Sequence, residues 1–254
     1  MFTLLRQEFM KAWKQNRVYY WFILALIVPI VFIWHAPGAA EVAVLGGGVT
    51  VANLELIVVT AIIFTQEFRF GTIRPLLSRR FSRGMVFSSK VLTFAILYLV
   101  TILAAFIGTM IAWPIFVHDV PSETIKLVWQ TMGTNVVTSV VEYAFFTSLI
   151  LLVANIVKSS GAAIGLGMVM IVGTSILSGI ATTLVQMWEP LKWNPFTLDN
   201  VVNAYGSYGA NGTYYKTVVQ QVMGTDPWVV FLVFGLYIIV LYLIAFLIFK
   251  RRSV

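Results

Sequence analysis

Apolar residues run along this chain in blocks that a soluble core does not use. They occupy residues 18–36, 44–66, 87–117, 135–157, 162–187 and 228–249, and charged residues collect between them. A helix rises about 1.5 Å per residue, so about 20 apolar residues cross a bilayer core. Backbone amides and carbonyls cannot stay bare in hydrocarbon, which makes helices the spanning form. The short alternating segments of a transmembrane barrel are absent. The pattern predicts an all-α integral membrane protein, one domain over residues 1–254, with six transmembrane helices.

The segments between the blocks differ in kind. Residues 1–17 predict an interfacial amphipathic helix: at 100° per residue Phe2, Leu5, Phe9, Ala12 and Trp13 share one face, and Arg6, Lys11, Lys14 and Arg17 lie off it. A plain basic anchor that sets topology is the simpler alternative. Residues 67–86 form a basic loop between spans two and three. The outer segment near His118–Gly133 predicts a short helix capped by Ser122 and ending at Trp129. Residues 188–227 make a long aromatic outer loop, of a length that is usually functional or partly structured.

Charge sets the orientation. All of the 17 Lys and Arg residues except Lys126, Lys192 and Lys216 fall on the side that holds both termini. By the positive-inside rule both termini are cytoplasmic and the chain sits in the cell membrane as a multi-pass protein. The net charge of +7 therefore marks span ends and lipid headgroups rather than a nucleic-acid partner. With 59% hydrophobic and 11% charged residues, the composition lies far from the roughly 25% charged residues of soluble domains. The chain does not open on a secretory signal peptide, because its first apolar run follows a polar and basic segment.

Catalytic chemistry finds few candidates. There is no cysteine, and the two histidines, His35 and His118, stand at span ends without a metal-ligand spacing. No Gly-Lys pair exists, so no P-loop is present. No metal site and no enzyme are expected. Two acids lie inside apolar blocks: Glu55, with Asn53 beside it, and Glu142. An intramembrane acid is costly and faces either a cavity or a polar partner, so a transport path and a structural link both remain open. In the fifth block Gly161 and Gly165, and Ser175 and Gly179, place small residues one turn apart. That spacing suits close helix approach within one subunit or between two.

The basic loop carries the most specific pattern. Glu67, Gly71-Thr72, Leu76-Leu77, Ser82-Arg83 and Lys90 follow one another where span two would run out of the membrane. Gly71 permits a turn, Thr72 can cap a short helix that tolerates Pro75 in its first turn, and Ser82 can cap span three. In these residues, and in its six spans and basic N-terminus, the chain resembles the membrane subunits of ABC-2-type, type V exporter-like, ABC transporters. Phe81 stands where many members have proline.

The resemblance implies a permease half-transporter of a bacterial cell membrane, working as a dimer with a copy or a paralogue. Two separate ATPase subunits would bind ATP and Mg and would seat the loop as a coupling helix. The contact would involve Glu67, Arg69, Gly71, Thr72, Arg74, Leu76, Leu77, Arg79 and Arg83, with Lys158 as a smaller second contact. Asn53, Glu55, Thr60, Glu142, Ser178 and Thr182 would line the translocation path. The long outer loop would resemble a re-entrant gate. The cargo implied is amphipathic: an antimicrobial peptide, a drug or a lipid-like molecule. The competing reading is an ATP-independent channel or secondary carrier that uses Glu55 or Glu142, although the halves of the chain show no internal repeat.

Overall fold

The computed structural model describes residues 2–14, 17–69, 81–118, 120–157 and 159–251. Ten α-helices and no strand are found among them: α1 (Phe2–Lys14), α2 (Arg17–His35), α3 (Ala39–Ala43), α4 (Gly48–Arg69), α5 (Arg83–Phe116), α6 (Ser122–Ile156), α7 (Ser160–Met187), α8 (Pro195–Tyr208), α9 (Gly212–Met223) and α10 (Pro227–Arg251). Six helical stretches are long and apolar enough to cross a membrane: Val18–His35, Leu45–Gln66, Arg83–Phe116, Ser122–Ile156, Ser160–Val185 and Pro227–Arg251. The all-α, six-span expectation holds.

Local chemistry sets where helices begin and end. Ser82 caps α5 as expected, its Oγ accepting from Met85 N at 3.2 Å. Asn194 caps α8 through bonds from Phe196 N and Thr197 N, with Pro195 in the first turn. Asn211 caps α9, which ends at Gly224 in the left-handed region. Between α3 and α4 the chain reverses through Leu45, Gly46 and Gly47, all at positive φ. Gly46 is obligatory there, because a Cβ would lie 2.8 Å from the Pro29 Cα of α2.

Two expectations need correction. Ser122 does not cap a separate short helix. It is the first residue of α6, which runs unbroken for 35 residues, and Pro121 precedes it with no side-chain cap. Nothing between Trp129 and Asn135 breaks a helix, since a lone Gly133 costs only about 1 kcal/mol relative to alanine. In α1 the fully buried row is Leu4, Glu8 and Ala12, which shares only Ala12 with the expected apolar face; Leu5 and Phe9 of that face are half-buried and Trp13 is exposed. The helix turns its i, i+4, i+8 row inward because Glu8 finds a buried cation there.

Packing ranks the spans. α4 is 67% buried over its span, whereas α2 and α10 are 22% buried and α7 is 25% buried. The main core joins α1, α4, α5, α6, α8, α9 and α10. α2 lies along α5, and α6 touches α3, α4, α7, α8 and α10. The α2–α5 contact is close because of Gly108: a Cβ there would meet the Leu26 carbonyl oxygen at 2.2 Å. Gly48 approaches Ala105 in the same way.

The long segment between the fifth and sixth spans is not irregular. It folds into α8 and α9, and α8 lies among the spans. Ser178 Oγ donates to the Phe196 carbonyl at 3.2 Å, Asn200 Nδ2 to the Ser178 carbonyl at 3.2 Å, and Thr134 Oγ1 to the Gly206 carbonyl at 2.9 Å. The Tyr215 hydroxyl of α9 closes onto the Val201 carbonyl at 2.9 Å.

Candidate functional site

Polar side chains gather at two levels of the bundle. The first is where α1 meets the ends of α4 and α5. Lys90 Nζ lies 3.1 Å from Glu8 Oε2 and donates to the Ile63 carbonyl at 3.3 Å. Both side chains are sealed, at 1% and 2% exposure. The half-exposed Lys11 adds a 3.0 Å contact to Glu8 Oε1. Burial opposes the charge on Glu8, but Lys90 and then Lys11 outweigh it and hold the carboxyl below its ordinary value. One ammonium thus ties α1 to both helices that flank residues 70–80. Close by, Arg83 Nη1 donates to the Lys250 carbonyl, which satisfies an orphan acceptor at the C-terminus of α10.

The second level lies deep between α4, α5, α6 and α8. Thr101 Oγ1 of α5 donates to Glu55 Oε2 of α4. The Tyr98 hydroxyl lies 3.1 Å from both Asn53 Oδ1 and the Ser139 carbonyl, and its ring packs on Tyr143 at 4.4 Å between centroids. Asn203 Nδ2 of α8 donates to Glu142 Oε1 of α6. Glu55, Leu56, Thr60 and Tyr98 border a cavity of about 10 Å³, room for about one water molecule. The buried Glu55 Oε1 and Thr60 Oγ1 have no hydrogen-bond partner among the described residues. Asp199 of α8 is also buried, and its Oδ1 has no hydrogen-bond partner among the described residues. Burial, and then the nearby Glu142, push its carboxyl up to about 7.

The sequence candidates fall into three groups. Asn53, Glu55 and Thr60 come together on α4, facing α5. Glu142 belongs with Asn203, and Ser178 bonds the start of α8, so these two reach the long outer segment. Gly71, Thr72, Arg74, Leu76, Leu77, Arg79 and Lys158 lie outside the described residues, as does the short Pro75 helix. The backbones of Glu67 and Arg69 belong to α4 and that of Thr182 to α7, but their side chains lie outside the described set.

Sequence reasoning missed Glu8, Asn203 and Asp199. Glu8 did leave a signal: it is the only acid before Glu41, set among four basic residues. The two α8 residues looked like ordinary loop polarity. The small-residue reading of the fifth span is also revised. Among the described residues a Cβ at Gly161 would have only its neighbour Ser159 within 4 Å, and one at Gly165, Gly173 or Gly179 would have nothing. Within the subunit the close approach uses Gly167, where a Cβ would meet Ile57 at 2.9 Å.

The described residues contain no group of acids and histidines able to hold a metal ion. What the arrangement offers is mechanical and polar: a locked junction at one end of the bundle, and a buried acid, Glu142, bonded to a helix that enters from the other. A search of curated proteins found no match to this chain. A family model described as ABC-2 family transporter protein matches residues 3–254. With six apolar spans and a match over almost its whole length, the chain belongs to the ABC-2 family of transporter membrane subunits.

Proposed function

We propose that this subunit is the permease half of an ATP-driven exporter in a bacterial cell membrane, with both termini cytoplasmic. A separate pair of ATPase subunits binds ATP and Mg and grips residues 67–83, with Lys158 as a second contact. The observation that carries the reading is the junction at Lys90. α1, α4 and α5 are pinned together where the loop begins and ends, so a push on that loop moves the spans as a unit rather than bending one helix. Arginine suits such a socket because it binds carboxylates bidentately. A conformational change needs contacts that differ between two states, and a nucleotide-driven partner supplies them.

The second permease copy is supported by α7. Its glycines at 165, 173 and 179 are open, and Val169, Val172 and Ile176 are exposed, so this helix keeps a small-residue face unused within the subunit. Helices α4 and α7 would then border the path, with Asn53, Glu55, Thr60, Ser178 and Thr182 as candidate contacts and α8 with Glu142 as the outer gate. An apolar, aromatic path suits an amphipathic cargo of the peptide, drug or lipid-like kind.

Reconstitution with the partner ATPase in proteoliposomes tests this reading. Glu67→Ala or Arg74→Ala should lower ATP-dependent transport about tenfold, the loss expected for one charged hydrogen bond, with membrane expression unchanged. Full transport in both variants would refute the docking role. The unpartnered Glu55 Oε1 beside a cavity favours one alternative, an ion-driven carrier. Cargo movement down an ion gradient without ATP would establish that instead.

A further inference from the structure

We propose that a membrane phospholipid binds across α6 at Gly133, in the leaflet opposite the termini. On α5, Leu99, Leu103 and Phe106 fall at helical spacing on one side, and Trp129, Gly133 and Val136 of α6 do the same. Between these rows runs an open apolar groove of about 400 Å³. Seven residues of α5 separate Leu99 from Phe106, so the groove runs about 10 Å along the membrane normal. Its outer end is closed by rings: Trp129 packs against Phe106 at 6.3 Å and against Trp113 at 5.7 Å.

A second crevice, of about 370 Å³, lies on the other side of α6 and shares Trp129 and Gly133 with the first. Its walls are more polar and include Gln130, Thr134 and Tyr205. Gly133 is the saddle between the two, because no atom lies within 4 Å of where its Cβ would be. The occupant must therefore be apolar on one side of Gly133 and hydrogen-bonding on the other. Lys126 lies one turn beyond Gln130 on the same face of α6, toward the headgroups. It is exposed and makes no ion pair among the described residues, including with Glu123 one turn before it. An ammonium above a polar crevice, itself beside an acyl-sized groove, matches a phosphate, a glycerol ester and a chain in that order. A sugar-headed detergent lacks the phosphate, and a peptide would leave backbone groups bare in the groove.

The site does not depend on the transport reading, and its test is direct. Gly133→Leu fills the saddle, yet the new side chain meets open space and removes a helix-weakening glycine, so the variant is expected to fold. Gly235→Leu on α10 also adds a side chain in open space, away from the groove, and is the control. The full chain would be purified in mild detergent with palmitoyl-oleoyl phosphatidylglycerol, and lipid adducts read by native mass spectrometry. The diacylglycerol with the same chains is the second probe.

Wild type and Gly235→Leu should hold one phosphatidylglycerol through partial delipidation. Gly133→Leu should retain about tenfold less, the change expected when about two methylene groups are shut out. Lys126→Gln should weaken phosphatidylglycerol but leave the diacylglycerol unchanged. Equal retention by wild type and Gly133→Leu overturns the proposal. So does equal loss in Gly133→Leu and Gly235→Leu, or an adduct that is detergent alone.

Discussion

Replacing Glu8 with glutamine tests the junction most directly. The new side chain keeps the shape but removes a buried charge that faces Lys90 at 3.1 Å. Lys90 is 1% exposed and would lose the buried carboxylate 3.1 Å from its ammonium, while keeping its bond to the Ile63 carbonyl. Breaking a buried ion pair by deleting one partner costs about 3–5 kcal/mol, because an uncompensated charge stays in a poor solvent. Lys11 contributes little to this figure, since it is half exposed and returns to water. The relief available to the protein is to let α1 go. At about 1.4 kcal/mol per decade, opening of α1 should become about two to four orders of magnitude more frequent. Amide hydrogen exchange of Leu4–Ala12 in the purified protein reads that population. Lys90→Met should behave alike, and the double variant Glu8→Leu with Lys90→Met should recover most of the loss, since an apolar pair of similar size is often neutral or better. Unchanged exchange in Glu8→Gln, or a double variant worse than either single one, would refute the reasoning. Acid should mimic the substitution. The Glu8 carboxyl is held below its ordinary value, so its stabilisation is complete above that value and is lost as pH falls through the lowered titration.

Other consequences follow from packing and burial. Gly108→Ala should lose folded yield and lower the melting temperature in detergent, because the methyl group meets the Leu26 backbone, which cannot turn aside. Gly235→Ala, set in open space, should match or exceed wild type by up to about 1 kcal/mol. Asp199 binds its proton more tightly when folded, with its carboxyl at about 7, so stability should fall as pH rises from the ordinary aspartate value to about 7 and then level off. Asp199→Asn should flatten that part of the melting-temperature profile between pH 5 and pH 8, and an unchanged slope would assign it elsewhere.

Much of this protein was legible without coordinates. Span number and helical class follow from block length alone, since lipid forbids unpaired backbone. The Ser82 cap could be read locally, because a hydroxyl three residues before an amide needs no distant partner. The α1 face could not: periodicity ranks rows by apolarity, and the buried row contains the one acid. The glycines of the fifth span illustrate the same limit. Their spacing marks a helix that can approach another closely, but which helix approaches is a matter of relative position. Gly108, with Ala104 and Ala112 one turn away on either side, is the one that carries the α2–α5 contact.

The amino-acid order by itself determined the membrane class and the six spans, because the transfer of apolar helices into lipid is a local sum over each segment. Only the tertiary structure decided that Glu8 meets Lys90 across 82 positions, that Asn203 meets Glu142 across 61, and that the outer loop enters the bundle as α8. Those pairings depend on where separate helices lie side by side. A buried charge or amide takes whichever partner the packing brings within about 3 Å, however far away that partner lies in the chain.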